Sequence, residues 1–451
     1  MNPQVFREYD IRGIVENDFD DAFVTDLGRG YATLLNRAGK KTITLGRDCR
    51  LSSPRLHDRL AEGILAGGID IVDIGVVPTP LLYYSVLAWK MDGGAMITGS
   101  HNAAEYNGFK LGVGPSTIFG AEIQHLREIL EKRDFVAGPA MGKMTERPVI
   151  PDYNDFILKT FKLTPGMKVV VDGGNGCGAF VAVPLMKKLG LDLVELYVEP
   201  DGRFPNHHPD PTVEDNMRDL VAAVNKNKAA VGIAYDGDAD RIGAVDETGK
   251  IVWGDELMVV FSRAILKEKP GAAIIGEVKC SKRMYDDIAR HGGRPIMWKT
   301  GHSLIKSKLK EEHAALAGEM SGHMFFADRY FGFDDAVYAS FRLLEIISRE
   351  GRGIRAILAD LPAGFVTPEI RVDCPDDRKF DVVKQAADFF RKHYEVIDID
   401  GVRVNFPDGW GLVRASNTQP ALVMRFEAPN EKRLAEIRSL FENKLRDFGA
   451  I

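Results

Sequence analysis

Cysteine is scarce in this chain: four in 451 residues, at Cys49, Cys177, Cys280 and Cys374, far apart in sequence and with no C-x-x-C pair. Neither a disulfide framework nor a thiolate zinc site is indicated, and a reducing compartment is the natural expectation. Positive charge is not in excess either. Lysine plus arginine total 59 against 65 aspartate plus glutamate, a net charge of −6. No global field therefore draws nucleic acid or an anionic membrane, and neither is expected as a partner. Long apolar runs are also missing, since no window approaches the roughly 20 apolar residues of a membrane span. The opening "MNPQVFREYDIRG" carries charges where a signal peptide would place its apolar core, so a soluble, cytoplasmic protein is expected. There is no low-complexity segment and no short-period repeat.

What is present is ordinary globular composition, 45% hydrophobic and 27% charged, in a chain too long for one compact core. Short apolar runs ending in Gly, Asp or Asn alternate with helical patterns: "KTITLGRD" then "SSPRLHDRLAEGILAGG", "MKVVVDGGNG" then "AFVAVPLMKKLG", "GAAIIGEVK" then "CSKRMYDDIARHGG". This alternation predicts α/β units with mixed, mainly parallel sheets, whose loops at the strand carboxyl ends are where ligands bind. The last stretch differs, with strand-like "EIRVDC", "GVRVNF" and "ALVMRFEA" around helical "FDVVKQAADFFRKHY", and reads as α+β. Composition shifts place four domains at 1–150, 151–250, 251–365 and 366–451.

Four loops carry candidate chemistry. "TGSHN", residues 98–102, ends an apolar run on small polar residues and puts the Ser100 hydroxyl in a loop; taken alone, turn capping by Ser100 and Asn102 is the favoured reading. In "VGIAYDGDADRIGAVD" the carboxylates Asp236, Asp238 and Asp240 fall at every second position. Three carboxylates so close repel one another unless a cation neutralises them, and hard oxygen ligands suit Mg²⁺ or Ca²⁺. An extended strand would spread residues i and i+4 over about 13 Å, so this segment must curl, as Gly237 and Ala239 permit. An EF-hand is excluded because Arg241 stands at the place of its turn glycine.

The third loop, "AGEMSGHMFF", alternates Glu319, Ser321 and His323, aimed one way if the backbone is extended, a set suited to vicinal sugar hydroxyls. The fourth, "RASNTQPALVMRFEA", offers Arg414 beside Ser416, Asn417 and Thr418, donors for a phosphate dianion. A further match, Gly174, Gly176 and Ala179 with Glu195 downstream, fits a dinucleotide fingerprint but equally describes tight packing at a strand-to-helix turn, the reading favoured here. Together a serine, a divalent-ion site, a sugar loop and a phosphate loop suit phosphoryl transfer.

Through "FREYDIRGI", "TGSHN", "DGDADR", "WKTGHSLIK", "GEMSGH" and "RASNT", nearly end to end, the chain resembles the α-D-phosphohexomutases, most of all their bacterial phosphomannomutase/phosphoglucomutase branch. The resemblance implies three α/β domains and a C-terminal α+β domain, heart-shaped around a central cleft, each giving one loop. Ser100 is then the phosphoserine, and it holds Mg²⁺ with Asp236, Asp238 and Asp240. Glu319 and Ser321 bind sugar hydroxyls, and Arg414, Ser416, Asn417 and Thr418 hold the remote phosphate. Tyr9, Arg12, Lys110, Arg241, Lys279, Thr300, Gly301, His302 and His323 line the cleft. Of these Lys110 and His323 are the candidates for proton transfer, either as acid or base, and Arg12 is grouped with them as catalytic. The implied activity interconverts hexose 1- and 6-phosphates of mannose or glucose through a 1,6-bisphosphate, with glucose 1,6-bisphosphate as activator, in a monomer. A phosphoglucosamine mutase is the alternative, although Met320 stands where those enzymes usually carry glutamine. An aspartyl phosphatase with Asp236 as nucleophile is a second alternative. One departure from the family is Ala103-Ala104 where a proline usually follows the Ser-His-Asn, which removes a fixed φ from the turn.

Overall fold

The computed structural model describes residues 1–417 and 420–450. The chain forms two compact units, the first built from 1–261 and 321–357, the second from 262–320 and 358–451.

The first unit holds two mixed sheets. In the larger one the strands run Ile11–Ile14, Tyr106–Val113, Gly93–Ile97, Thr42–Arg47, Asp70–Val76 and Met144–Glu146 in spatial order. Thr42–Arg47 pairs in parallel with both neighbours, while Tyr106–Val113 runs antiparallel to both of its own. Gly93–Ile97 is buried along its whole length, as its continuous apolar run requires of a strand covered on both faces. Helices Asp21–Arg37 and Ser53–Ala66 turn apolar stripes inward, and Leu27, Leu60, Ile43, Leu45, Ile97 and Phe109 share one core. The second sheet is ordered Ile251–Val252, Ile242–Val245, Val231–Tyr235, Lys168–Asp172, Asp192–Leu196, with its last three strands parallel. Both sheets deliver their central strands' carboxyl ends into loops, and those loops carry Ser100 and Asp236.

In the second unit, Arg294–Trp298, Ala273–Glu277 and Leu316–Gly318 form a parallel set. The C-terminal portion is an antiparallel sheet ordered Phe365–Val366, Ala421–Ala428, Gly409–Ala415, Val402–Phe406, Glu395–Ile397. Helices Lys379–Phe390 and Glu431–Asp447 pack on it through Phe390, Phe426 and Phe441, the first and last of these stacked at 4.4 Å. Among the described residues no helix is long and apolar enough to cross a membrane.

Candidate active site

The loop after Gly93–Ile97 is held from below by one arginine. Arg50 is 1% exposed, and its guanidinium donates to the carbonyls of Ser100 (2.9 Å), Asn102 (2.5 Å), Ala103 (2.6 Å) and Tyr106 (2.9 Å). Asp48 completes the support, accepting from the Gly99 amide at 3.1 Å and lying 3.2 Å from Arg50 Nε. This grip fixes the turn despite the missing proline. Ser100 sits at φ +49°, in the left-handed region that costs an L-residue about 1 kcal/mol. Strain of that kind persists where surrounding contacts over-determine it.

The acidic segment curls as its spacing requires, from the end of Val231–Tyr235 back into Ile242–Val245, with Ala239 at φ +56°. Gly237 lies so close to Ser100 that a Cβ there would stand 2.4 Å from the Ser100 carbonyl oxygen. The approach brings the Ser100 hydroxyl 3.0 Å from Asp236 Oδ2, to which it donates.

Asp236, Asp238 and Asp240 are all essentially buried. Asp238 Oδ2 accepts three donors: the Thr79 hydroxyl (2.6 Å), the Thr98 hydroxyl (3.2 Å) and Lys110 Nζ (3.1 Å). The Thr79 amide also donates to the Asp238 carbonyl, so the first turn of helix Thr79–Ala88 is locked onto this loop. Lys110 reaches Asp240 Oδ2 as well, at 2.5 Å. Burial works against its charge, yet Asp238 and Asp240 hold Lys110 well above its ordinary value, as the ammonium. Lys110, even with the Arg241 guanidinium nearby, does not balance three carboxylates. Burial, and then the charges of Asp240 and Asp238, push Asp236 well above the usual carboxylate range.

The donor set fits a hard divalent cation. Oδ1 of Asp238 and Oδ1 of Asp240 are buried and take no hydrogen bond among the described residues, and the three carboxylates offer oxygens within 4.8 Å of one another. A dication there would let all three ionise.

His323 brings a further group to the same place. Its Nε2 lies 3.0 Å from Arg241 Nε, and its Nδ1 is 3.0 Å from Asp334 Oδ2 and 3.6 Å from Asp240 Oδ1. Nε2 accepts from Arg241 Nε and so orients that guanidinium. His101 Nδ1 is 3.2 Å from Ser100 Oγ. Burial, and then the charges of Arg241 and Arg12, push this imidazole well below its ordinary value and keep it neutral. Arg12 itself pairs with Asp10 and donates to Asn102 at 2.5 Å, and Tyr9 is buried beside it in the chain.

Thus the first unit brings together Ser100, Lys110, Arg12, Asp236, Asp238, Asp240, Arg241 and His323 of the residues singled out from sequence, and also contains Tyr9 and Ser321. The others belong to the second unit. Lys279 Nζ is 2.9 Å from Glu369 and 3.8 Å from Glu277. Thr300 donates its amide to Asp400 and its hydroxyl to Glu277, both at 2.9 Å. Gly301, at φ +127°, donates to Glu319 Oε1 at 3.1 Å, and His302 opens the helix His302–Glu311. Arg414 Nε is 3.0 Å from Asp400 Oδ2, and the Ser416 carbonyl accepts from Lys379 at 2.6 Å. Asn417 follows in a bend, and Thr418 lies outside the described residues.

Two expectations are refined. The Glu319–His323 stretch is not an extended strand: it turns at Gly322, φ +92°, because Gly322 packs on the Ile242 backbone, where a Cβ would lie 2.4 Å from the carbonyl oxygen. Of the dinucleotide-like match, Gly176 packs against Gly237, and Glu195 is ion-paired with Lys187 at 2.6 Å, which is the packing reading. Sequence reasoning gave no role to Asp48, Arg50, Thr79, His101 or Asp334. Only His101, inside the quoted "TGSHN", had a visible signal.

Family models for phosphoglucomutase/phosphomannomutase match in four segments: α/β/α domain I at 3–137, domain II at 151–249, domain III at 253–365 and the C-terminal domain at 369–444. A Pseudomonas aeruginosa protein named phosphomannomutase/phosphoglucomutase is 44% identical over 98% of this chain and 95% of its own length. A Neisseria gonorrhoeae phosphoglucomutase is 43% identical over 97% of this chain and 96% of its own. The crystal structure of a phosphoglucomutase/phosphomannomutase family protein from Burkholderia thailandensis superposes with a TM-score of 0.92 at 39% identity, covering 99% of this chain and 98% of that one. The chain belongs to the phosphoglucomutase/phosphomannomutase family, with its four-domain α/β architecture.

Proposed function

We propose that this chain is a phosphohexomutase that interconverts the 1- and 6-phosphates of glucose or mannose through a phosphoserine at Ser100 and a hexose 1,6-bisphosphate. The observation that carries this is the Ser100 hydroxyl, 3.0 Å from one member of a buried triad of carboxylates. Asp236, Asp238 and Asp240 would hold Mg²⁺, which supplies charge neutralisation for a phosphoryl group in transfer.

In the first half-reaction the bond between phosphorus and Ser100 Oγ breaks while one forms to the sugar's free hydroxyl, whose proton must leave. Lys110, kept as the ammonium by its two carboxylates, serves as charge clamp and proton donor rather than acceptor. His323, whose Nδ1 lies 3.0 Å from Asp334, is the acceptor, and Arg241, held by its Nε2, is the donor it positions for phosphoryl oxygens. The bisphosphate then turns end for end and returns its other phosphate to Ser100. Arg12 assists at the serine loop, to which it is tied through Asn102.

In the second unit, Glu319 and Ser416 with Arg414, Asn417, Thr418, Lys279 and His302 are assigned to the sugar and to the phosphate that is not transferred; Thr300 and Gly301 shape that loop. Ser321 and Tyr9, in the first unit, complete the binding set. The same reading makes glucose 1,6-bisphosphate the activator and the protein a cytoplasmic monomer, cut at 150/151, 250/251 and 365/366. A coupled assay on glucose 1-phosphate, mannose 1-phosphate and glucosamine 1-phosphate, each with and without glucose 1,6-bisphosphate, tests it. Turnover of a neutral hexose phosphate, raised by the bisphosphate, is expected; dominance of the amino sugar would overturn the substrate assignment, and no turnover of any would overturn the reading.

A further inference from the structure

Three parallel strands of the second unit end side by side, and one buried carboxylate stands where their loops part. Glu277 is the last residue of the central strand, Ala273–Glu277; it lies opposite Trp298 on one side, while Gly276 lies opposite Gly318 on the other. The two flanking strands run on into the loops that hold Thr300–His302 and Glu319, and the central strand runs on into the turn that holds Lys279.

The Glu277 carboxylate is fully buried and meets all three loops. Its Oε2 accepts from the Lys279 amide at 2.8 Å and from the Thr300 hydroxyl at 2.9 Å. Its Oε1 accepts from the Met320 amide at 3.3 Å and lies 3.8 Å from Lys279 Nζ. Two further bonds extend the set. The Gly301 amide donates to Glu319 Oε1 at 3.1 Å, which ties the second loop to the third. The Thr300 amide donates to Asp400 Oδ2 at 2.9 Å, the same oxygen that Arg414 Nε faces at 3.0 Å. A continuous chain of contacts therefore runs from Lys279 and Glu319 through Glu277, Thr300 and Asp400 to Arg414.

We propose that Glu277 is a positioning residue of the phosphosugar site, fixing the spacing between the groups that meet the sugar and the groups that meet the phosphate that is not transferred. This inference rests on the reading above, in which Lys279, Glu319 and Arg414 contact the substrate. A carboxylate suits the task because it only accepts, and each loop brings it an N–H or O–H donor. Glutamine has the same size but cannot replace it. Whichever oxygen becomes the NH₂ then faces a backbone N–H, that of Lys279 on one side or that of Met320 on the other. The Lys279 turn itself keeps a separate hold, since Arg403 donates to the carbonyls of Val278 and Cys280, and Arg425 to that of Lys279. Loss of the Glu277 charge thus loosens the loops from one another without releasing the turn.

Steady-state kinetics of the full chain on glucose 1-phosphate, with glucose 1,6-bisphosphate present and the melting temperature recorded on the same samples, test this. Glu277→Gln is expected to raise KM about 10-fold or more while kcat stays within about 3-fold. Thr300→Val, which removes one hydroxyl donor at a half-buried position, is expected to raise KM about 3- to 10-fold. The double variant should match Glu277→Gln alone, because both changes act through one carboxylate. A fall in kcat at unchanged KM, or a double variant whose KM is the product of the two single effects, would overturn the proposal. If Glu277→Gln does not fold, Thr300→Val decides alone, and an unchanged KM there overturns it. No turnover by the unaltered chain would remove the mutase reading itself; turnover with the same KM in every variant would remove only this inference.

Discussion

The acidic turn around Asp236 and the cluster around Lys279 and Arg414 are both dense in buried charge, yet they are balanced in opposite ways. At the turn, one lysine spans Asp238 and Asp240 while Asp236 is held above its usual range, so the group lacks positive charge. In the second unit the two cations face separate carboxylates: Lys279 faces Glu369 and Glu277, Arg414 faces Asp400. Burial works to raise Glu369, but Lys279 and Arg371 hold it well below its usual value, the mark of a satisfied pair. A deficit of cation is how a protein holds a place for a metal. Paired cations instead allow exchange, because an arriving dianion can take a carboxylate's place without leaving a bare buried charge behind.

The largest test of this contrast is on the reactive side. Ser100→Ala should lower mutase turnover by on the order of 10⁴-fold or more while leaving the melting temperature nearly unchanged, because the loop is held through its main-chain carbonyls. Steady-state kinetics and calorimetry on the same sample check both halves. Arg50→Met should do the converse at the level of folding, costing about 3–5 kcal/mol by denaturant titration, since a buried Asp48 and four carbonyls lose their partner together. A cost below about 1 kcal/mol would show the loop to be held by other means. On the exchangeable side, Arg414→Ala should raise KM far more than it lowers kcat, reducing kcat/KM about 10- to 100-fold. A fall confined to kcat would erase the proposed division of labour between the two regions.

Much of this is legible in the amino-acid sequence. Alternating apolar runs and helical patterns place the α/β units, because a strand buried on both faces leaves few other readings for "GGAMI" or "KVVVD". The aspartate spacing is legible too, since repulsion among three carboxylates demands a cation whatever the fold. What stayed hidden are contacts made to main chain or across sheets. Arg50 speaks to four carbonyls and to Asp48 two residues before it, Thr79 to a carboxylate from the other sheet, and Asp334 to a histidine beside the turn at Gly322. None leaves a pattern in residue spacing.

The smallest predicted effect is on pH dependence in a part of the first unit away from the acidic turn. His57 lies 3.2 Å from Asp73 and 3.1 Å from Asp58. Burial works to lower its pKa, but the contacts to Asp73 and Asp58, and the charge of Asp73, outweigh burial and raise it. A raised folded value means that the stability it confers is fully present below the unfolded value of about 6.5 and is lost as pH rises through the folded one. The stability gap between the protein and His57→Gln should therefore narrow as pH rises above the unfolded value of about 6.5 in denaturant titrations. A gap that widens would reverse the sign assigned to this pair.

The central claim is that Ser100 Oγ carries the phosphoryl group beside a cation held by Asp236, Asp238 and Asp240. Incubating the protein with glucose 1,6-bisphosphate and Mg²⁺, then mapping the phosphate by mass spectrometry, addresses it directly. The account predicts an addition of about 80 Da on the peptide containing Ser100, at that residue, removed again by glucose 1-phosphate. Phosphate found on Asp236 with Ser100 bare would contradict it.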